Sequence, residues 1–231
     1  MLRKKLLYLV MKARVPAINQ KLLTIALTHR SYLNEHKTVK EHNERLEFLG
    51  DAVLELVTSQ YIFEKYPDKP EGEMTALRSA LVRTTTLAEV AEKLKLGDQL
   101  RLSRGEAASG GRENRALLAN TFEAVLGALY LDQDLTAVRE FLTTWLFPEL
   151  ATIVTKELYR DYKSTLQEEV QAEGQPSPVY EVVSEVGPDH DKQFTIRVMV
   201  GTRELAAGSG KSKQAGQQEA ARRALEKLAK G

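Results

Sequence analysis

Apolar side chains recur at intervals of three and four through most of the first 158 residues, over 22–27, 49–62, 74–96 and 117–131. That period marks helices with one buried face, because 3.6 residues complete each turn. Breaks fall at Pro16, at YPDKPEG (66–72), at Gly97-Asp98 and at SRGEAASGGREN (103–114). Glycine and proline interrupt the helical ladder wherever they cluster. Little two-residue alternation occurs here, so the pattern predicts an all-α domain over 1–157.

The period changes near Arg160. Residues 161–174 predict a helix with Leu166 and Val170 inward and Gly174 as its stop. Three β-type runs follow, at 179–186, at 194–200 and, shorter, at 202–207. In the second, Phe194, Ile196, Val198 and Val200 alternate onto one face. Residues 211–228 return to a helical period through Ala215, Ala220, Ala221, Ala224, Leu225 and Leu228. The order α-β-β-β-α predicts a small α+β domain over 160–231. No Gly/Ser-rich linker separates the halves, and the boundary falls within 156–161.

Composition narrows the class. With 42% hydrophobic and 28% charged residues, the 231-residue chain is an ordinary globular one. The absence of cysteine excludes a disulfide framework and a thiolate metal site, and suits a reducing cytoplasm. The opening MLRKKLLYLVMKAR reads as a leading amphipathic helix. Its apolar run is too short for a secretory signal and is followed by Lys12 and Arg14. No run reaches the length of a membrane span. A net charge of +1 announces no polyanionic partner, so a nucleic-acid face must be local. Lys211, Lys213, Arg222, Arg223, Lys227 and Lys230 form the candidate cluster.

Candidate chemistry concentrates in HNERLEFLGDAVL (42–54). Leu46, Leu49, Val53 and Leu56 give it a helical period, and Glu44, Glu47 and Asp51 then lie along one side. Like charges one turn apart repel by about 0.2–0.5 kcal/mol per pair. A solvated acidic face beside Arg45 is one reading. A hard divalent cation, which binds carboxylate oxygens, is the other. Glu123 projects from LLANTFEAVLGALYLD (117–132), with Asn120 one turn earlier and Leu118, Phe122, Val125 and Leu126 as core. Taken alone it reads as a surface or capping carboxylate.

The string 42–54 closely resembles the signature motif of the ribonuclease III family at thirteen contiguous positions, and further likenesses run along most of the chain. The resemblance implies that Glu47 and Asp51 join Glu123, from a second packed helix, as metal ligands. Glu44 and Glu71 match acidic rim positions that assist a second metal or the RNA, although Glu71 reads nearly as well as a first-turn helix acid. Asn120 stands where the family usually has aspartate; it keeps a carbonyl oxygen and loses the charge. The all-oxygen set favours Mg²⁺, with Mn²⁺ as a substitute, and no organic cofactor.

The implied reaction is staggered hydrolysis of both strands of double-stranded RNA, leaving 5′-phosphate and 3′-hydroxyl ends. Glu44, Glu47, Asp51 and Glu123 are the catalytic set, and ribosomal RNA precursors and messenger RNA are the substrates. The same resemblance implies a cytoplasmic homodimer in which Phe48 inserts into a second subunit. ALTHRSY (26–32) resembles an early family element, and His29 within it reads as a helix-end or packing histidine. The alternative is a catalytically weakened RNA-binding protein of the same fold, with Asn120 as its support.

The C-terminal part resembles a double-stranded RNA-binding domain. DYKSTLQEEVQ (161–171) matches its opening helix, with Gln167 and Glu168 at the minor-groove positions. GPDHDKQF (187–194) matches the first loop, where His190 reaches a neighbouring minor groove. In GSGKSKQAGQQEAARRAL (208–225), Gly208 and Gly210 allow a tight entry, and Lys211 and Lys213 add charge to a helix N-terminus facing phosphate. Gln214 stands where the family usually has a second lysine. Such modules read A-form shape over about 16 bp with little sequence preference.

Overall fold

The computed structural model describes residues 18–188 and 191–229, and divides the chain into two compact units, Met1–Tyr159 and Arg160–Gly231. The expected leading helix lies outside the described residues. So do His190 and Lys230.

The first unit is helical, as its period predicts. It runs through α1 (Gln20–Ala26), α2 (Tyr32–Glu35), α3 (Glu44–Lys65), α4 (Glu71–Val82) and α5 (Thr84–Lys93). A 3₁₀ turn (Gly97–Gln99) leads to α6 (Arg104–Ala108), α7 (Arg115–Asp132), α8 (Leu135–Trp145) and α9 (Glu149–Thr155). Helix α7 is the axis of the core. Leu118, Phe122, Val125, Leu126 and Leu129 are almost wholly enclosed, each contributing about 1.5–3 kcal/mol on burial. Asn114 caps it, its side chain accepting from the amides of Ala116 and Leu117. No described helix is long and apolar enough to cross a membrane.

Helix α3 packs on α7 through Leu46, Gly50, Val53, Leu54 and Val57. Backbone meets backbone at this crossing. A Cβ on Gly50 would lie 1.8 Å from the carbonyl oxygen of Glu123, and one on Gly127 would lie 2.2 Å from that of Leu46. Leu56 departs from the expected buried stripe. It is 56% exposed and lines one groove with Phe63, 68% exposed, while Phe48, 81% exposed, lines another with Leu22 and Ile25.

Two breaks differ from the pattern. The continuous recurrence over 74–96 is interrupted at Arg83, which is extended (φ −62°, ψ 149°). The buried Thr86 hydroxyl bridges this corner by donating to the Ala80 carbonyl at 3.0 Å. Conversely, the run 103–114 contains α6, capped by Ser103, whose Oγ accepts from the Glu106 amide at 3.2 Å.

The second unit follows the expected order: α10 (Tyr162–Ala172), β1 (Val179–Val186), β2 (Gln193–Val200), β3 (Arg203–Gly210) and α11 (Lys213–Leu228). The sheet is antiparallel with β2 central. Val198 and Val200 are buried with Leu166 and Val170 of α10 and Ala220, Ala221 and Ala224 of α11, and Ile196 is buried beside Gly216. Gly174, at φ +73°, ends α10 in the left-handed conformation as its stop position requires.

The third strand is longer than expected, because Gly208 and Gly210 belong to it and not to an entry loop. A Cβ on Gly208 would lie 2.2 Å from the Ala220 amide nitrogen, and one on Gly210 2.6 Å from that of Gly216. The two glycines let α11 lie directly on the sheet. Entry to α11 falls to Ser212, whose Oγ accepts from the Ala215 amide at 3.1 Å. Ala215 itself is exposed and Gly216 takes the buried place.

Candidate active site

Helix α3 carries Glu47 and Asp51 on either side of Gly50, and Gly50 rests against the backbone of Glu123 on α7. The close crossing therefore gathers three carboxylates from two helices, with Asn120 one turn before Glu123 and partly buried. Their charges act on one another. Burial raises the Glu123 carboxyl to about 7, helped by Asp51 and then Glu47. Glu47 is raised too, by burial, then by Glu44 and Asp51. Desolvation penalises each anion and a neighbouring anion adds to that cost.

A hard divalent cation relieves this strain, and carboxylate oxygens without His or Cys are the donors such an ion takes. Among the described residues no three Asp, Glu or His side chains close around a common point.

Glu44 sits at the rim. Arg30 approaches its carboxylate at 3.4 Å and the His42 Nδ1 at 3.9 Å. Glu71, by contrast, is the exposed first residue of α4 and accepts from the Thr75 hydroxyl at 2.9 Å. It borders a groove with Leu56, Phe63, Met74 and Arg78, and is absent from the charges acting on Glu47 and Glu123.

One partner escaped the sequence reading. Glu55 extends the acidic side of α3 by a turn beyond Asp51, and Arg78 of α4 pairs with it at 2.8 Å while donating to Ser59 Oγ at 2.9 Å. Arg78 thus ends the negative stripe on that side. Only charge complementarity could have suggested it, and many arginines offer that.

The 26–32 element is an anchor. The His29 amide donates to the Arg101 carbonyl at 3.1 Å, and the Arg101 amide to Leu27 at 2.8 Å. Ser31 Oγ accepts from the Ser103 amide, and the Arg101 guanidinium lies 4.3 Å from the Tyr32 ring centre. The Asn43 amide donates to the Thr28 carbonyl at 2.9 Å, fixing the start of α3. His29 packs here; its Nδ1 lies 2.9 Å from Ser31 Oγ, and burial lowers its pKa.

In the second unit Gln167 and Glu168 are exposed on α10, and Lys211, Lys213 and Gln214 are exposed around the start of α11. The cationic cluster is less free than its sequence suggests. Arg222 and Arg223 both bind Glu219, at 2.8 and 2.6 Å, and Arg222 also pairs with Glu226. Hydrogen bonds from Arg222 and Arg223 pull Glu219 down to about 2. Lys227 donates to the Leu205 carbonyl and Lys211 pairs with Asp191 at 2.9 Å. Lys213 holds its amine 5.9 Å from the Phe194 ring centre.

Comparison with known proteins agrees with both halves. Residues 19–150 match the family model described as ribonuclease-III-like, and residues 162–228 match the double-stranded RNA binding motif. Ribonuclease 3 of Roseiflexus sp. (strain RS-1) is 48% identical over 233 residues, spanning 100% of this chain and 98% of that one. Ribonuclease 3 of Bacillus cereus (strain G9842) is 48% identical over 218 residues, 94% and 89% of the two chains. A solved nuclease domain of ribonuclease III from Campylobacter jejuni, reported with structural flexibility in a region involved in dimer formation, superposes with a TM-score of 0.54. It is 36% identical and covers 58% of this chain and 91% of its own. A likeness that runs the whole length of full-sized relatives, at close to half identity, leaves no other placement: the chain belongs to the ribonuclease III family.

Proposed function

We propose that the chain is a double-strand-specific endoribonuclease in which residues 1–157 cut and residues 160–231 hold the duplex. It leaves 5′-phosphate and 3′-hydroxyl ends on both strands. The observation that carries this is the coupling of Glu47, Asp51 and Glu123 across one helix crossing. These residues would hold Mg²⁺, or Mn²⁺ in its place, with Asn120 offering a carbonyl oxygen and Glu44 at the rim; Glu71, on its own groove, would assist a second metal or the RNA. When bound, such an ion stabilises the charge that develops on the phosphate and the leaving oxygen. The raised Glu123 and Glu47 carboxyls would ionise to receive it, and Arg30 pairs with Glu44.

Gln167, Glu168 and His190 are the proposed minor-groove contacts, and Lys211, Lys213 and Gln214 the phosphate contacts. The exposure of Phe48, Leu56 and Phe63 supports a homodimer, because a monomer gains nothing from exposing large apolar side chains. The absence of cysteine fits a cytoplasmic enzyme acting on ribosomal precursor and messenger RNA. Relatives named Ribonuclease 3 at 46% and 48% identity do not favour the weakened binding protein.

The test is Mg²⁺-dependent cleavage of a long duplex RNA by the parent, Glu123→Gln and Asn120→Asp. Cutting by the parent and loss in Glu123→Gln support the reading, with Asn120 a tolerated ligand. Binding by the parent with cutting only by Asn120→Asp makes the chain a disabled nuclease. If all three bind duplex and none cuts, the chain is a binding protein.

A further inference from the structure

We propose that Gly50 and Gly127 are positioning residues, which fix the spacing between Glu47, Asp51 and Glu123 by letting the backbones of α3 and α7 touch. The inference rests on the reading of those carboxylates as the ligand set.

The contacts are reciprocal and they fall at the ligands. Gly50 meets the carbonyl of Glu123 itself, and Gly127 meets the carbonyl of Leu46, the neighbour of Glu47. Ordinary contact with a Cβ begins near 3.4 Å. A Cβ at Gly50, 1.8 Å from its neighbour, and one at Gly127, 2.2 Å from its own, fall far inside ordinary contact, so the two backbones would have to move apart. The opposing atoms are backbone in both cases, so no side-chain rotation relieves the overlap.

Neither glycine is needed for its backbone angles, since neither has a positive φ. Both stand inside helices, where glycine is a poor choice. What remains is the missing side chain. The consequence reaches the site because a metal's bonds to its ligands fall within about 0.2 Å of set lengths. A displacement of about 1 Å at reacting groups costs on the order of 10²-fold in rate. Gly50 and Gly127 thus set the distance between the two halves of the ligand set.

The experiment uses the full chain. Gly127→Ala and Gly50→Ala are compared with Leu142→Ala, a core truncation in α8. Mn²⁺ affinity is read by electron paramagnetic resonance without RNA. Thermal melting, duplex affinity without divalent ion, and kcat and KM with Mg²⁺ complete the set. The glycine variants should lose at least about tenfold in Mn²⁺ affinity and on the order of 10²-fold in kcat, with KM and duplex affinity within about twofold of the parent. Leu142→Ala should melt earlier yet keep the parent's Mn²⁺ affinity.

Glycine variants that fold and keep both Mn²⁺ affinity and kcat overturn the proposal. So does Leu142→Ala losing as much affinity as they do, or a failure of both glycine variants to fold, which would assign the glycines to folding alone. A parent that binds no Mn²⁺ and cuts nothing overturns the ligand reading first, and this proposal with it.

Discussion

The Glu123 carboxyl, raised first by burial, feels the charge of the Asp51 carboxylate across the crossing of α3 and α7 and is held at about 7. In the unfolded chain it titrates near 4.5. Between those values the unfolded state releases a proton that the folded state keeps, so rising pH favours unfolding. Stability falls from about pH 4.5 to 7 and the loss is complete above 7. In metal-free buffer, Glu123→Gln should melt about 3 °C above the parent at pH 8 and level with it near pH 4. Calorimetry across that range checks this, and a difference independent of pH would refute it.

The same proton competes with any cation at the site. Mg²⁺ affinity should fall about tenfold per pH unit below 7, as the ligand must ionise before it coordinates. Isothermal titration at pH 5.5, 6.5 and 7.5 reads this directly. A flat profile would place the ion elsewhere.

Phe48 is 81% exposed, more than Leu56 at 56% or Phe63 at 68% on the same helix. Phe48→Glu should give a folded monomer where the parent is a dimer, because a charge at a buried contact costs several kcal/mol. Light scattering on the eluted peak decides it. An unchanged mass would remove Phe48 from the subunit contact.

Arg223 and Lys213 look equivalent in sequence and should behave differently. Arg223 is bound to Glu219 at 2.6 Å, whereas Lys213 stands beside the start of α11. Lys213→Ala should weaken duplex binding by about three- to tenfold with melting unchanged, in line with loss of one charge-assisted phosphate contact. Arg223→Ala should leave affinity within about twofold. Gel-shift titration compares them, and the reverse order would show that the Glu219 pairing opens on RNA.

Gly208→Ala tests the sheet-to-helix contact of the second unit. A Cβ 2.2 Å from the Ala220 nitrogen has no space, so overpacking should cost about 1–3 kcal/mol. Denaturant unfolding measures this, and a neutral effect would refute the close approach.

Much of this was readable because helical and strand periods differ, as in the alternation of Ile196, Val198 and Val200. The corner at Arg83 was not, since its extended backbone involves neither glycine nor proline and is held by Thr86 from the far side. Gly208 and Gly210 were misread because glycine marks a loop locally, while here it answers a helix that arrives six or more residues later. Of the candidate site, the α3 carboxylates share a face by spacing alone, but their meeting with Glu123 depends on Gly50 and Gly127. Leu56 shows the limit of periodicity: a stripe of apolar positions does not say which of them a neighbour covers.

The pairing of Arg222 and Arg223 with Glu219 has a consequence for how the protein searches for its target. Binding to a polyanion gains free energy as condensed counterions leave, one for each phosphate neutralised. Arginines already engaged by a carboxylate release few. A protein with a net charge of +1 and such self-satisfied cations therefore has weak general attraction to nucleic acid. Retention on a target then depends on contacts that fit the duplex's shape, which such a module reads over about 16 bp.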